Sequence, residues 1–319
     1  MNILIIGAGA YGLALASVLN EKNKVVVYSV NKEEINGLSN TYKNELVFPN
    51  IELSKKIKFT SNLDEALQNI NLIIIAIPTN YIDEITYKLK NKISKQTKIC
   101  IASKGINKKN NKFAYDIVKE NLKSRKIYIL SGPSFAIDTI KKENIILTLA
   151  GKNTAKLKEI FPEKYIKIET TNDIIGTEIC GTLKNIFAIA SGILEGINAS
   201  ESTKAAFLTK IINETKKLII KFGGNQKTIL NACGIGDILL TCTSKNSRNY
   251  KLGYLIGIKE EKNKIKEFLN STTVEGMEAL ISIKEILNNK KIKNEAIQLI
   301  YNIIINNDNP ETLLDYIVK

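Results

Sequence analysis

Lys184 and Asn185 stand side by side in the stretch CGTLKNIFAIASGI, residues 180–193. After Thr182 the apolar residues Leu183, Ile186, Phe187, Ala190 and Ile193 recur at spacings of three and four, the period of a buried helix. Lysine is among the residues least often buried. An ammonium at the head of so apolar a helix either snorkels, with its stem on the core and its head in water, or does acid–base work in a desolvated place. Further along, GIGDILLTCTSKNSRN (residues 234–249) sets Asp237 among apolar residues. The same stretch presents a hydroxyl, a guanidinium and an amide at Ser247, Arg248 and Asn249. Arginine clamps a phosphate as a bidentate fork, and its neighbours can complete the oxygens. Read singly, Ser-Arg-Asn is equally a helix cap.

A second set of residues lies at the start of the chain. NILII (residues 2–6) is a short β-branched run, and GAGAYG follows it directly. In this GxGxxG pattern Gly7 permits a tight turn, Gly9 lets a pyrophosphate approach the backbone, and Gly12 lets a helix close onto the strand. The anion would rest on the helix N-terminus. After the second strand candidate, KVVVYS (residues 24–29), come Ser29, Val30, Asn31 and Lys32, with no acid before Glu33. An acid here would hold the ribose 2′-hydroxyl of NAD. Hydroxyl, amide and ammonium groups instead suit a 2′-phosphate, so these residue types favour NADP or tolerance of both cofactors, and equally suit a plain solvated turn. Two more polar clusters follow strand candidates: Ser103-Lys104-Gly105, and Ser131-Gly132-Pro133-Ser134-Phe135-Ala136. Ligands of open α/β sheets bind at that carboxyl edge.

The elements that must position these residues come in two textures. Strand candidates at 2–6, 24–29, 57–60, 72–77, 98–102, 127–130, 145–149 and 166–169 alternate with helical stretches at 13–20, 63–70 and 80–90. Such alternation implies a doubly wound α/β sheet of the Rossmann type. From about residue 172 helices dominate, at 173–197, 201–221, 227–231, 234–245, 249–256, 260–269, 274–287 and 292–305. The expected architecture is therefore a dinucleotide-binding Rossmann domain over residues 1–178 and an all-α substrate domain over residues 179–319.

Bulk properties narrow the class. The 319 residues are 44% hydrophobic and 24% charged, ordinary for a globular protein. No apolar run is long enough to span a bilayer, and a first strand at Asn2 leaves no room for a leader peptide, so a cytoplasmic chain is expected. The four cysteines, Cys100, Cys180, Cys233 and Cys242, form no CxxC pair, and the chain has no histidine, which argues against a metal site. A net charge of +14 invites a nucleic-acid reading. Its lysines are spread through the chain without an aromatic stripe, so no nucleic-acid partner is expected.

Taken together, GAGAYG, IPTN, SKG, SGPSFA, LKNIFAIASG, GIGDILLTCTS with SRN, and VEG resemble, in order, the bacterial NAD(P)-dependent glycerol-3-phosphate dehydrogenases. The resemblance runs from Gly7 to Glu275. It implies NAD(P)H-dependent reduction of dihydroxyacetone phosphate to sn-glycerol 3-phosphate, the precursor of membrane phospholipids, by a commonly dimeric enzyme. It implies that Lys184 is the catalytic proton donor and acceptor, and that Lys104 contacts cofactor and substrate. Gly132, Ser134, Asp237, Ser247, Arg248 and Asn249 would surround the substrate, with Arg248 also at the cofactor. Ala10, Tyr11, Ala136, Thr273 and Glu275 would join the glycines Gly7, Gly9 and Gly12 at the cofactor site. In this reading Asp237 offsets excess positive charge and holds Lys184, and Asn185 orients Lys184 or the cofactor amide. Three positions depart from the family: Lys210 stands where arginine is usual, and Val30 and Asn31 stand where histidine or arginine is common. Two rivals remain at this stage, a hydroxy-acid dehydrogenase of similar architecture and a nucleotide sensor without chemistry.

Overall fold

Along the first strand Ile3 and Ile5 bury into one apolar layer, while Leu4 and Ile6 bury into another. That alternation, with both faces covered, is what a central strand of a doubly wound sheet requires. The computed structural model describes residues 1–123 and 126–319. Its strands are β1 (Asn2–Ile6), β2 (Lys24–Tyr28), β3 (Lys58–Thr60), β4 (Leu72–Ile75), β5 (Lys98–Ile101), β6 (Ile106–Asn107), β7 (Lys112–Phe113), β8 (Ile127–Ser131), β9 (Ile145–Ala150) and β10 (Ile166–Thr171). The chain divides into two units: Met1–Lys104 with Ala114–Ile174, and Gly105–Phe113 with Ile175–Lys319.

The first unit carries an eight-stranded sheet ordered β10-β9-β8-β5-β4-β1-β2-β3. From β3 to β8 every pairing is parallel, in the Rossmann order. The strand order reverses between β1 and β4, which makes the end of β1 the topological switch point. β9 pairs antiparallel with β8, and β10 runs with β9. The link from β8 to β9 holds one five-residue helix, Ala136–Ile140, which packs against the helix Ala10–Leu19. About 8 Å of helix cannot carry the chain back along a strand, so β9 returns beside β8 in the opposite direction.

The second unit is helical. Its axis is the 23-residue helix Ile174–Gly196, of which Ile179, Leu183, Ile186, Phe187, Ile189 and Ile193 belong to the core. The β6–β7 hairpin belongs to this unit: Ile106 joins its core, and Lys108 pairs with Glu278 at 2.8 Å. The last helix, Thr312–Val318, lies beyond those expected from the periodicity, and two further elements differ from it. Residues 226–230 form a 3-10 turn, and the helix expected over 234–245 opens as a π turn, Ala232–Gly236, before the α-helix Asp237–Thr243. Gly234 allows that turn, because a Cβ there would stand 2.2 Å from the Ile229 carbonyl oxygen. Among the described residues no helix is long and apolar enough to cross a membrane.

Candidate functional site

In the first unit the glycine turn sits where β1 ends. Gly7 has φ +117°, and a Cβ on it would lie 2.4 Å from the Ala76 carbonyl oxygen. A Cβ on Gly12 would lie 2.1 Å from the Gly7 carbonyl oxygen, so only glycine lets the helix Ala10–Leu19 close onto the strand. Gly9 is the contrast. It caps that helix without a side-chain bond, it is exposed, and a Cβ there would meet nothing within 4 Å. The helix N-terminus is thus bare of side chains at the switch point, which is the cradle a pyrophosphate needs. Gly7, Gly9, Ala10, Tyr11 and Gly12 therefore fit a dinucleotide. Beyond Gly7 a cavity of about 310 Å³ continues past Tyr28 and Ser29.

Lys104, Gly132, Ser134 and Ala136 come to the same carboxyl edge. Lys104 follows β5, and its backbone oxygen accepts from Thr79 Oγ1 at 2.9 Å. Its Nζ reaches the Gly132 carbonyl oxygen at 3.4 Å. Gly132 has φ +150° and packs against Ile146 and Leu147, with no room for a side chain. Ser134 shares a 3.1 Å hydrogen bond with the Tyr11 hydroxyl, tying the loop after β8 to the glycine turn. Ala136 opens the short helix that packs on Ala10–Leu19.

In the second unit Lys184 does not snorkel. It retains 9% of its surface, and its Nζ donates to Asp237 Oδ1 at 2.6 Å and to Thr241 Oγ1 at 3.2 Å. Asp237 is fully buried. An ammonium in such a place is tolerable only with a carboxylate beside it. Thr241 stands one turn beyond Asp237, to whose carbonyl its hydroxyl donates at 2.6 Å. The neighbouring amide is equally committed. Asn185 Nδ2 donates to Glu275 Oε2 at 3.1 Å, and its Oδ1 accepts from Asn249 Nδ2 at 3.0 Å. Asn249 Oδ1 in turn accepts from the Gly276 N–H at 2.9 Å. Two sets of bonds between residues distant in sequence, Lys184 with Asp237 and Thr241 and Asn185 with Asn249 and Glu275, thus meet at the adjacent residues Lys184 and Asn185. Burial pushes the Cys242 thiol beside them up to about 12, and its sulfur lies 3.9 Å from the Lys184 carbonyl oxygen.

A glycine seam sets this geometry. A Cβ on Gly253 would lie 1.8 Å from the Ile189 carbonyl oxygen, and one on Gly192 would lie 2.0 Å from that of Tyr250. Gly196 and Gly257 are as crowded, with backbone atoms within 2.6 and 2.4 Å of a Cβ. The helices Ile174–Gly196 and Arg248–Gly257 therefore touch backbone to backbone, which brings Asn249 to Asn185. Ser247 caps the second of these helices, its Oγ accepting from the Tyr250 N–H at 3.3 Å. Arg248 and Thr273 are exposed. Residue types alone did not single out Thr241, Gly276 or the seam. The signals were present: Thr241 lies four residues after Asp237, and both glycine pairs are spaced by four, on one helix face.

Known proteins resemble both units. The family model for the N-terminus of NAD-dependent glycerol-3-phosphate dehydrogenase matches residues 2–157, and that for the C-terminus matches residues 173–315. The chain is 32% identical to a glycerol-3-phosphate dehydrogenase (NAD(P)+) of Clostridium botulinum, over 97% of this chain and 94% of the relative. One from Mesoplasma florum is 32% identical over 100% and 97%. The crystal structure of glycerol-3-phosphate dehydrogenase from Coxiella burnetii superposes with a TM-score of 0.93 at 27% identity, covering 100% of this chain and 98% of that one.

Proposed function

This chain belongs to the family of NAD(P)-dependent glycerol-3-phosphate dehydrogenases, and we propose on that footing that Lys184 is its proton donor in making sn-glycerol 3-phosphate from dihydroxyacetone phosphate. It is an oxidoreductase that uses NAD(P)H. The observation that carries the assignment of Lys184 is its bond to Asp237, an almost buried ammonium held at 2.6 Å by a fully buried carboxylate.

The first unit takes the dinucleotide, with Gly7, Gly9, Ala10, Tyr11 and Gly12 around the pyrophosphate. A dinucleotide held there would supply the hydride for the ketone carbon. The ketone oxygen then gathers negative charge, and Lys184 gives it the Nζ proton as that charge develops, a general-acid step worth about 10²–10⁴ in rate. Asp237 and Thr241 hold Nζ in one orientation throughout. Asn185, fixed by Glu275 and Asn249, keeps the turn that carries Lys184 in register. Arg248, exposed at the first turn of its helix, binds the substrate phosphate as a fork with Ser247 beside it. By the family resemblance Lys104, Gly132 and Ser134 also serve the substrate, and Lys104, Ala136, Arg248, Thr273 and Glu275 serve the cofactor. The product feeds glycerophospholipid synthesis in the cytoplasm, and the enzyme works as a homodimer.

The test is oxidation of NADH and NADPH by the purified protein with dihydroxyacetone phosphate, beside simple 2-keto acids. Turnover confined to the phosphorylated triose supports the proposal. Faster turnover of a 2-keto acid would replace it with a hydroxy-acid dehydrogenase.

A further inference from the structure

The two cofactors differ by one phosphate, and the chain meets that difference where β2 ends. The cavity of about 310 Å³ that begins at Gly7 is lined there by Tyr28, Ser29 and Val30. In this fold the end of the second strand faces the ribose 2′ position. By residue type, Ser29, Asn31 and Lys32 offer a 2′-phosphate a hydroxyl, an amide and an ammonium. Two of the three are engaged within the chain. Ser29 Oγ donates to Glu34 Oε2 at 2.9 Å. Asn31 Oδ1 accepts from the N–H groups of Glu33 and Glu34 at 3.1 and 3.2 Å. Asn31 thereby closes the N-terminus of the ten-residue helix Lys32–Thr41, whose first-turn N–H groups would otherwise suit an anion. Lys88, which also lines the cavity, is paired with Glu84 at 2.6 Å. Lys32 is exposed, next to Glu33 and Glu34 in the same turn.

We propose that Glu34, held against the cavity wall by Ser29, makes this chain select NAD(H) over NADP(H). The inference rests on the reading of the first unit as the dinucleotide site. A phosphate monoester brings about −1.5 to −2 charges at neutral pH. Beside a carboxylate anchored one hydrogen bond from the wall, that charge is repelled. A ribose 2′-hydroxyl instead donates to the same carboxylate, as Ser29 does. Glu34 thus supplies the acid that the end of β2 lacks, reached through the first turn of the next helix rather than from the strand. The preference expected from residue types alone is reversed because the side chains that looked available are occupied.

The experiment is equilibrium titration of the full-length protein with NADH and with NADPH, without substrate, followed by nucleotide fluorescence. NADH should bind more tightly by on the order of ten-fold or more. Glu34→Gln keeps an acceptor for Ser29 and removes the charge, so it should narrow that ratio mainly by tightening NADPH. Equal or tighter binding of NADPH by the unaltered protein overturns the inference and leaves the family reading intact. An unchanged ratio in a Glu34→Gln variant that melts normally also overturns it. Failure of both nucleotides to bind removes the reading of the first unit as a dinucleotide site, and the preference with it.

Discussion

Replacing Gly253 by alanine tests the seam that carries Asn249 to Asn185. The added Cβ would stand 1.8 Å from the Ile189 carbonyl oxygen, where ordinary contact begins at 3.4 Å. Both atoms belong to packed helices, so relief requires the axes to part by about 1.6 Å, the difference between those two distances. The Asn249–Asn185 bond, 3.0 Å long, then stretches beyond hydrogen-bond range. Overpacking of a core costs about 1–3 kcal/mol, and a buried amide left unpaired costs about 1–3 kcal/mol more. A loss near the middle of the summed range, about 4 kcal/mol, should lower Tm by roughly 8–16 °C in a domain this size. Displacing the Lys184 helix by more than 1 Å should also lower kcat by about 100-fold. The assays are differential scanning calorimetry and steady-state NADH oxidation. Gly37→Ala is the control, since Gly37 sits in a helix and a Cβ there meets nothing within 4 Å; it should be neutral or stabilising. If Gly253→Ala melts within about 1 °C of the parent and keeps its kcat, the seam does not set the site.

Three further substitutions or treatments follow from the same geometry. Asp237→Asn leaves a nearly buried ammonium without its carboxylate and should cost about 3–5 kcal/mol in urea unfolding; a loss under about 1 kcal/mol would mean that the pair is screened by solvent. Arg248→Lys loses the planar fork and should raise KM for dihydroxyacetone phosphate with little change in kcat, because a phosphate contact is made equally in ground and transition states; an unchanged KM removes Arg248 from the phosphate site. Burial pushes the Cys100 and Cys242 thiols up to about 12, and all four cysteines are buried. An aromatic disulfide reagent at pH 8 should therefore label the native protein slowly and the unfolded protein at four sites. A raised folded-state pKa means that the native form binds more protons, so the stabilisation from these thiols is complete below about pH 9 and falls as pH rises from 9 towards 12. Rapid native labelling at pH 8 would contradict the burial.

The first unit was legible because its chemistry is local. A β-branched run, a glycine turn and a helical period lie within twenty residues, and each glycine has one steric reason to be there. The reversal of β9 was hidden, because nothing in Ile145–Ala150 records the direction in which a strand is entered. In the second unit the helix period located Lys184, and a carboxylate among apolar residues pointed to Asp237. Thr241 and the four seam glycines were not read out, because their roles appear only when one helix is laid against another. Residue type says least at the end of β2. Ser29 and Asn31 look like ligands in the sequence, yet in the fold they bind Glu34 and cap a helix.

The central claim is that the Lys184 ammonium moves the proton. Lys184→Ala should still bind NADH, because the glycine turn proposed to hold the pyrophosphate does not involve Lys184, while kcat with dihydroxyacetone phosphate falls by about 10²–10⁴. Small primary alkylamines added to the assay should restore part of the lost rate in proportion to their ammonium concentration. A Lys184→Ala variant that binds NADH and turns over within two-fold of the parent, indifferent to added amine, would show that another group supplies the proton.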